Sequence, residues 1–172
     1  MKWILWIFVV LAGFLILITL IGWLLPKDHV ATRQGRYRQP PEAIWKAISD
    51  VDAMPSWREG LKSVKHLPKK NGLPAHLEIT DMGEIPLETV EMTPPRKLIN
   101  RITDPKLPFG GTWTFEITPT AEGSTLRITE NGYVSNPVFR LLSRFVFGQT
   151  GTIESYLKSL AKKFGEPPRI EE

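Results

Sequence analysis

The chain of 172 residues contains no cysteine. That absence excludes structural disulfides, thiolate metal sites and cysteine nucleophiles, and it leaves the redox compartment open. Histidine is scarce too. His29, His66 and His76 lie in unrelated segments without metal-ligand spacing, so neither a metal site nor a cofactor is expected. Serine, histidine and acidic residues all occur, but no GxSxG elbow joins them. Gly110-Gly111 precedes an expected strand instead of following one, which argues against a phosphate-cradling loop. The formal net charge is +4, or +3 with Lys2 set aside, and both signs are interspersed along the chain. Such a balance provides no electrostatic footprint for nucleic acid.

What the sequence has in excess is one apolar run. The 23 residues from Trp3 to Leu25 carry no charge. At about 1.5 Å of rise per residue, a helix of that length covers about 34 Å, enough for a hydrocarbon core of about 30 Å. Trp3 and Trp6 at one end and Trp23 at the other suit the headgroup region, and Pro26 with Lys27 closes the segment. A cleaved signal peptide has a shorter apolar region and small residues at its exit, whereas this exit reads WLLPK. Residues 3–25 are therefore expected to be an uncleaved, single-pass transmembrane helix. Lys27, Arg33, Arg36 and Arg38 follow the run while only Lys2 precedes it, which by the positive-inside tendency places the C-terminal domain in the cytoplasm. The linker, residues 26–30, reaches only about 17 Å when fully extended, so the domain is expected to lie against the bilayer. Arg36 and Arg38 share one strand face, which could meet anionic headgroups or be an ordinary solvated strand face.

Outside the run, apolar content suffices for one compact domain, expected over residues 31–165, with residues 166–172 as a tail. QPPEAIWKAISD, from Gln39 to Asp50, reads as a short helix burying Ile44, Trp45 and Ile48, and AMPSWREGL as a second helical turn. From Lys62 to Gly132 short alternating runs are separated by turn chemistry, the mark of consecutive antiparallel strands. The clearest pair is Thr112–Thr118 with Ser124–Glu130, which aligns Trp113, Phe115 and Ile117 on one strand and Leu126, Ile128 and Glu130 on the other, so that Glu130 shares the apolar face. By the same rule Asn100 joins Leu98 and Ile102, and Asp81 joins Leu77 and Ile79. A phase switch between Leu87 and Val90 predicts a bulge near Glu88 and Thr89, and Pro86 predicts an edge strand. Asn136 and Pro137 open one long helix whose buried stripe is Leu142, Val146, Ile153, Tyr156, Leu157, Leu160 and Phe164. Gly148 and Gly151 predict a kink within it, and Gly165 with Pro167-Pro168 ends it.

This element order, and the runs QPPEAIWKAISDVDAMPSW, GTWTFEITPTAEGSTLRITENG and NPVFRLLSRFVFGQTGTIESYLKSLAKKFGE, resemble the polyketide cyclase/dehydrase and lipid-transport group of the START-like superfamily. The likeness runs from about Val30 to Gly165. It implies an α+β helix-grip fold: a curved antiparallel sheet of about seven strands around a long C-terminal helix, with two short helices after the first strand. It also implies a cavity between sheet and helix that takes an apolar ligand. The group shares no catalytic motif, so no family residue set transfers to this chain, and the fold by itself licenses no chemistry.

The strand and helix faces nominate the residues for such a cavity: Tyr37, Leu77, Ile79, Asn100, Trp113, Phe115, Leu126 and Ile128 from strands, and Leu142, Val146 and Ile153 from the helix. Leu107 to Gly111 (LPFGG) suits a lip at its mouth. Glu130, an acid on an apolar face, would have its charged form disfavoured by burial, making it a polar ligand anchor or an acid/base candidate, with Arg101 as a partner. Asp81 is read as a turn residue beside Met82-Gly83. The expected function is membrane-tethered binding or transport of a hydrophobic or amphipathic, lipid-like small molecule. The alternatives are a cyclase- or dehydratase-like enzyme using Glu130 with Asn100 or Tyr37, and a membrane-proximal protein-interaction module.

Overall fold

The computed structural model describes residues 2–146 and 148–172. Helix α1 (Lys2–Leu24) leads, after three connecting residues, into strand β1 (Asp28–Tyr37). Helix α2 (Pro41–Ser49) follows, with Pro40-Pro41 fixing its first turn and Ile44, Ala47 and Ile48 buried at helical spacing. After a 3-10 turn at Met54–Ser56 come β2 (Leu61–Lys70), β3 (Leu73–Thr80), β4 (Gly83–Thr93), β5 (Lys97–Ile102), β6 (Phe109–Thr120) and β7 (Gly123–Val134). Helices α3 (Pro137–Phe145) and α4 (Gly151–Lys163) and the short strand β8 (Ile170–Glu171) complete the chain.

All pairings in the sheet are antiparallel, in the order β2-β3-β4-β5-β6-β7-β1-β8. This is the α+β helix-grip architecture, with α2 and α4 against the concave face. The β6–β7 register sets Trp113 opposite Glu130, Phe115 opposite Ile128 and Ile117 opposite Leu126. These side chains meet Ile153, Tyr156, Leu157 and Leu160 of α4, and Ile44 and Ile48 of α2, in one core. At about 1.5–3 kcal/mol per fully buried aliphatic side chain, this cluster is the principal source of stability.

Four sequence expectations change. Pro86 does not mark an edge, because β4 is flanked by β3 and β5. The Pro86 carbonyl accepts from Thr103 N at 3.0 Å, just beyond the last β4–β5 register pair, so its missing N–H falls where the ladder has already ended. The bulge lies one residue later, between Thr89 and Glu91. The expected long helix is two helices: α3 ends at Phe145 with Val146 as its C-cap, and Gly148, with φ of +73°, takes the left-handed conformation that stops a helix. Residues expected as a tail pair with β1, Glu171 opposite Gln34 and Ile170 opposite Gly35.

The junction of α1 with the domain is specific. α1 is apolar all round and exposes nearly all of its surface; among its described residues only Ile18 and Gly22 are covered, and Leu25 just beyond the helix is half-buried. Positions 18, 22 and 25 share one helix face, and α3 packs there. A Cβ at Gly22 would lie 2.0 Å from Pro137 O, so the close approach requires glycine. The Gly22 carbonyl would ordinarily accept from the residue-26 N–H, but that residue is Pro26. The buried Arg140 guanidinium supplies the donor, with Nη1 3.0 Å from Gly22 O and 2.9 Å from Leu25 O, and Nε 3.0 Å from Val134 O. A cation at the carbonyl end of a helix is also favoured by the macrodipole.

Ile128 is 0% exposed under α4. Ile128→Ala is expected to destabilise the domain by about 2–5 kcal/mol, measured as a lowered midpoint in urea unfolding of the detergent-purified chain.

Candidate functional site

One end of the sheet gathers the C-terminal ends of β3, β5 and β7 with the N-terminal ends of β2, β4, β6 and β1. α1 joins at this end, and α4 starts there: Glu154 meets Arg33 in mid-β1, while Leu157 O accepts from Tyr37 Oη near the far end of that strand. In the same half of the molecule, between the sheet, the 3-10 turn and the start of α4, lies a cavity of about 230 Å³. Its walls are Met54, Leu61, Ile85, Leu87, Ile102, Trp113 and Phe115, with Tyr156, Thr152 and Ser155 from α4. Gly60, Asp81, Met82 and Gly111 form the rim. At Gly111, φ is +132° and a Cβ would lie 2.2 Å from Asn131 O, so the rim there is backbone only.

Polar groups are few and ordered. Arg58 Nη1 donates to Glu78 Oε1 at 2.5 Å, and His76 Nε2 stands 3.6 Å from the same oxygen, beyond hydrogen-bond length. Glu78 is 3% exposed. Burial pushes its carboxyl up, but His76 and Arg58 outweigh burial and hold it below its ordinary value, so the pair is ionised. The Arg58 guanidinium also sits 5.2 Å from the centre of the Tyr156 ring. Tyr156 makes edge contacts with Trp57 and Trp113 and a tilted contact with Phe115. Its buried hydroxyl has no hydrogen-bond partner among the described residues, and burial pushes its pKa up, so it remains a neutral O–H donor. Asn100 is held by Thr89 Oγ1 at 3.0 Å and lies between this cavity and a second one of about 290 Å³ reaching His76, Met92 and Ile48.

Of the residues nominated from sequence, Asn100, Trp113 and Phe115 line the cavity together. Leu126, Ile128 and Ile153 face the same interior but are 0% exposed and belong to the packed core. Tyr37 is at the far end of the sheet, where its hydroxyl donates to Leu157 O at 3.0 Å. Leu77 and Ile79 are half-buried and outside the lining, because β3 turns His76, Glu78 and Thr80 to the concave side. The apolar-inward rule fails there since the interior supplies Arg58 as a partner for Glu78. Leu142 and Val146 are on α3, away from the cavity, and Val146 is 63% exposed. Glu130 shares the face of Trp113 as expected, but it lies outside the lining. Its neighbour is His29 Nε2 at 3.5 Å and not Arg101, which is bound to Glu88. Burial pushes the Glu130 carboxyl up, against the lowering effects of His29 and Trp113. Asp81 is at the rim, 3.0 Å from Lys62 Nζ. Sequence reasoning missed Arg58, Glu78 and the site role of Tyr156; the first is on an irregular turn and the last reads as part of a core stripe.

Comparison with known proteins agrees with this geometry. Residues 32–165 match the family model described as polyketide cyclase / dehydrase and lipid transport. A START superfamily protein from Mycobacterium smegmatis superposes with a TM-score of 0.63 at 17% identity, over 80% of this chain and 97% of that one. An HSP90 activator from Plasmodium falciparum gives 0.58 at 18% identity, over 84% and 100%. The di-domain ARO/CYC StfQ of the steffimycin biosynthetic pathway gives 0.61 at 14% identity, over 81% of this chain and 53% of that one. No curated protein matches in sequence.

The Glu78–Arg58 pair predicts a pH dependence with a definite sign. Because the folded carboxyl titrates below its ordinary value of 4.5, its contribution is complete above that value and is lost as pH falls through the folded pKa. Glu78→Gln, which leaves Arg58 without its carboxylate, should cost about 3 kcal/mol at neutral pH. The gap to wild type should narrow on acidification, as read from Tm at a series of pH values.

Proposed function

This chain belongs to the polyketide cyclase/dehydrase and lipid-transport family, and from that premise we propose that it binds a hydrophobic or amphipathic small molecule in the cavity beside α4 while α1 tethers it to a membrane. The observation that carries the reading is the cavity's position: a largely apolar chamber, with the Arg58–Glu78 pair in its wall and the exposed carboxylates Glu59 and Asp81 also in its lining, in the half of the sheet to which α1 is joined. Trp6–Leu24 is long and apolar enough to cross a bilayer, and 6% of it is buried. Since the positive-inside tendency counts Lys and Arg rather than net charge, Lys27, Arg33, Arg36 and Arg38 favour a cytoplasmic domain even though Arg33 and Arg36 are paired within the fold.

Size and charge narrow the ligand. A chamber of about 230 Å³ is below the roughly 300–1,000 Å³ of sites that enclose a drug-sized molecule, so it accepts the head or one short arm of a longer ligand. Burial of about 200 Å² of apolar surface contributes about 5 kcal/mol before the costs of association. Even before those costs that corresponds to no tighter than a sub-millimolar affinity, which suffices only where the bilayer keeps the ligand concentrated nearby. Arg58 is already neutralised by Glu78, so the wall favours an uncharged head. Acid–base chemistry at Glu130 receives less support, because that carboxyl is outside the lining and engaged with His29.

The full-length chain, extracted in mild detergent and examined by native mass spectrometry, should retain a lipid-like adduct. Trp113→Ala should lower the retained fraction several-fold, and Leu87→Arg, which puts a charge into the chamber, should abolish it. An adduct-free wild type that also fails to take up a neutral apolar fluorophore would overturn the proposal.

A further inference from the structure

Helix α3 is not used by the cavity, and its surface is unlike that of the other helices of the domain. Phe139, Phe145 and Val146 are exposed at 46%, 66% and 63%. Its N-terminus is set by Asn136, whose Oδ1 accepts from Val138 N at 3.0 Å and Phe139 N at 3.1 Å. Its axis is fixed to α1 by the Arg140 bonds to Gly22 O and Leu25 O and by the contact of Pro137 with Gly22.

The depth of that contact is what matters. The covered positions of α1 and its exit, Ile18, Gly22 and Leu25, belong to the apolar run itself and not to a polar stalk beyond it. Without those last turns, Trp3–Leu17 would cover only about 22 Å, short of a hydrocarbon core of about 30 Å. A spanning α1 therefore takes Ile18 to Leu25 into the bilayer, and α3 goes with it. The side of α3 turned away from α1 then meets lipid, which accounts for exposed Phe139, Phe145 and Val146. Arg144, also exposed, has the reach to return its guanidinium to the headgroups.

Resting on the reading of α1 as a membrane span, we infer that α3 is an in-plane membrane helix, seated in the headgroup–acyl boundary of the bilayer that holds α1. Its partner is the lipid surface, and its apolar side lies about 5–10 Å below the phosphates, as such helices do. Met82 at the β3–β4 turn, 73% exposed, and the half-buried Leu107 of the β5–β6 loop and Phe109 at the start of β6 are at the same end of the sheet. With α3 seated, that end and the cavity rim face the acyl layer.

The absence of cysteine makes the test direct. Phe145→Cys, Val146→Cys, Leu11→Cys and Glu122→Cys are each labelled with an environment-sensitive fluorophore in the full chain. The chains are then reconstituted into vesicles of phosphatidylcholine and phosphatidylglycerol with nitroxide lipids. Leu11 reports on mid-α1, and Glu122 on the β6–β7 turn at the opposite end of the sheet. Labels at 145 and 146 should fluoresce several-fold more strongly than at 122 and be quenched most by shallow nitroxides, with the label at 11 quenched most by deep ones. Water-like labels at 145 and 146 beside a deeply quenched label at 11 would overturn the inference and leave the anchor standing. A water-like label at 11 would bring down the anchor reading and this inference with it.

Discussion

The arrangement of the molecule depends on one guanidinium. Pro26 follows the apolar helix and leaves the Gly22 carbonyl without its intrahelical donor, at a buried contact with Pro137. Arg140 fills that vacancy while holding the Val134 and Ser135 carbonyls at the end of β7. One side chain thus ties the last turn of α1, the last residues of the sheet and the first turn of α3. With only three residues between α1 and β1, the sheet has little freedom to swing relative to α1.

The interior is divided along the sheet. Toward the end opposite α1, α4 seats closely, with Leu157 and Leu160 fully buried and Tyr37 hydrogen-bonded to the helix backbone. Toward the α1 end the strands and the helix stand apart, and the gap holds the Arg58–Glu78 pair. A buried ion pair is poor value for stability alone, since apolar replacement is often neutral or favourable. Beside it the Tyr156 hydroxyl has no hydrogen-bond partner among the described residues, so this half of the interior holds polar groups that close packing alone does not call for. The HSP90 activator and the ARO/CYC protein share this frame at identities that establish fold alone, so the chamber's own residues, and not those likenesses, carry the functional reading.

Much of the fold was legible in the sequence because local rules agreed with tertiary need. The β6–β7 pair reads correctly from alternation, α2 from its apolar spacing and α3 from Asn136-Pro137. What escaped was decided at long range. The phase of β3 inverts because Glu78 has a partner on a turn that no periodicity describes, so Leu77 and Ile79 are displaced from the face their hydrophobicity suggests. The kink expected at Gly148 and Gly151 is a full break, because α3 docks on α1 while α4 docks on the sheet, and one straight helix serves only one of those surfaces. Glu130 was placed on the right face but beside the wrong neighbour, since His29 is brought opposite Gly132 only by the pairing of β1 with β7. Three of the nominated cavity residues meet in one chamber; the others are core, convex surface or α3.

Strand β2 closes one margin of the sheet and is exposed along almost its entire length, with Lys62, Lys65, Lys69, Lys70 and Pro68 on it. In dilute solution such a strand would rarely meet its like. If α1 spans a membrane as proposed, molecules confined to two dimensions and held upright at a common height encounter one another edge-first and often, which is the geometry in which open strands zip together. Like charges and a proline on that margin oppose such zipping. Crowding in the plane of a membrane would then leave these domains as separate particles.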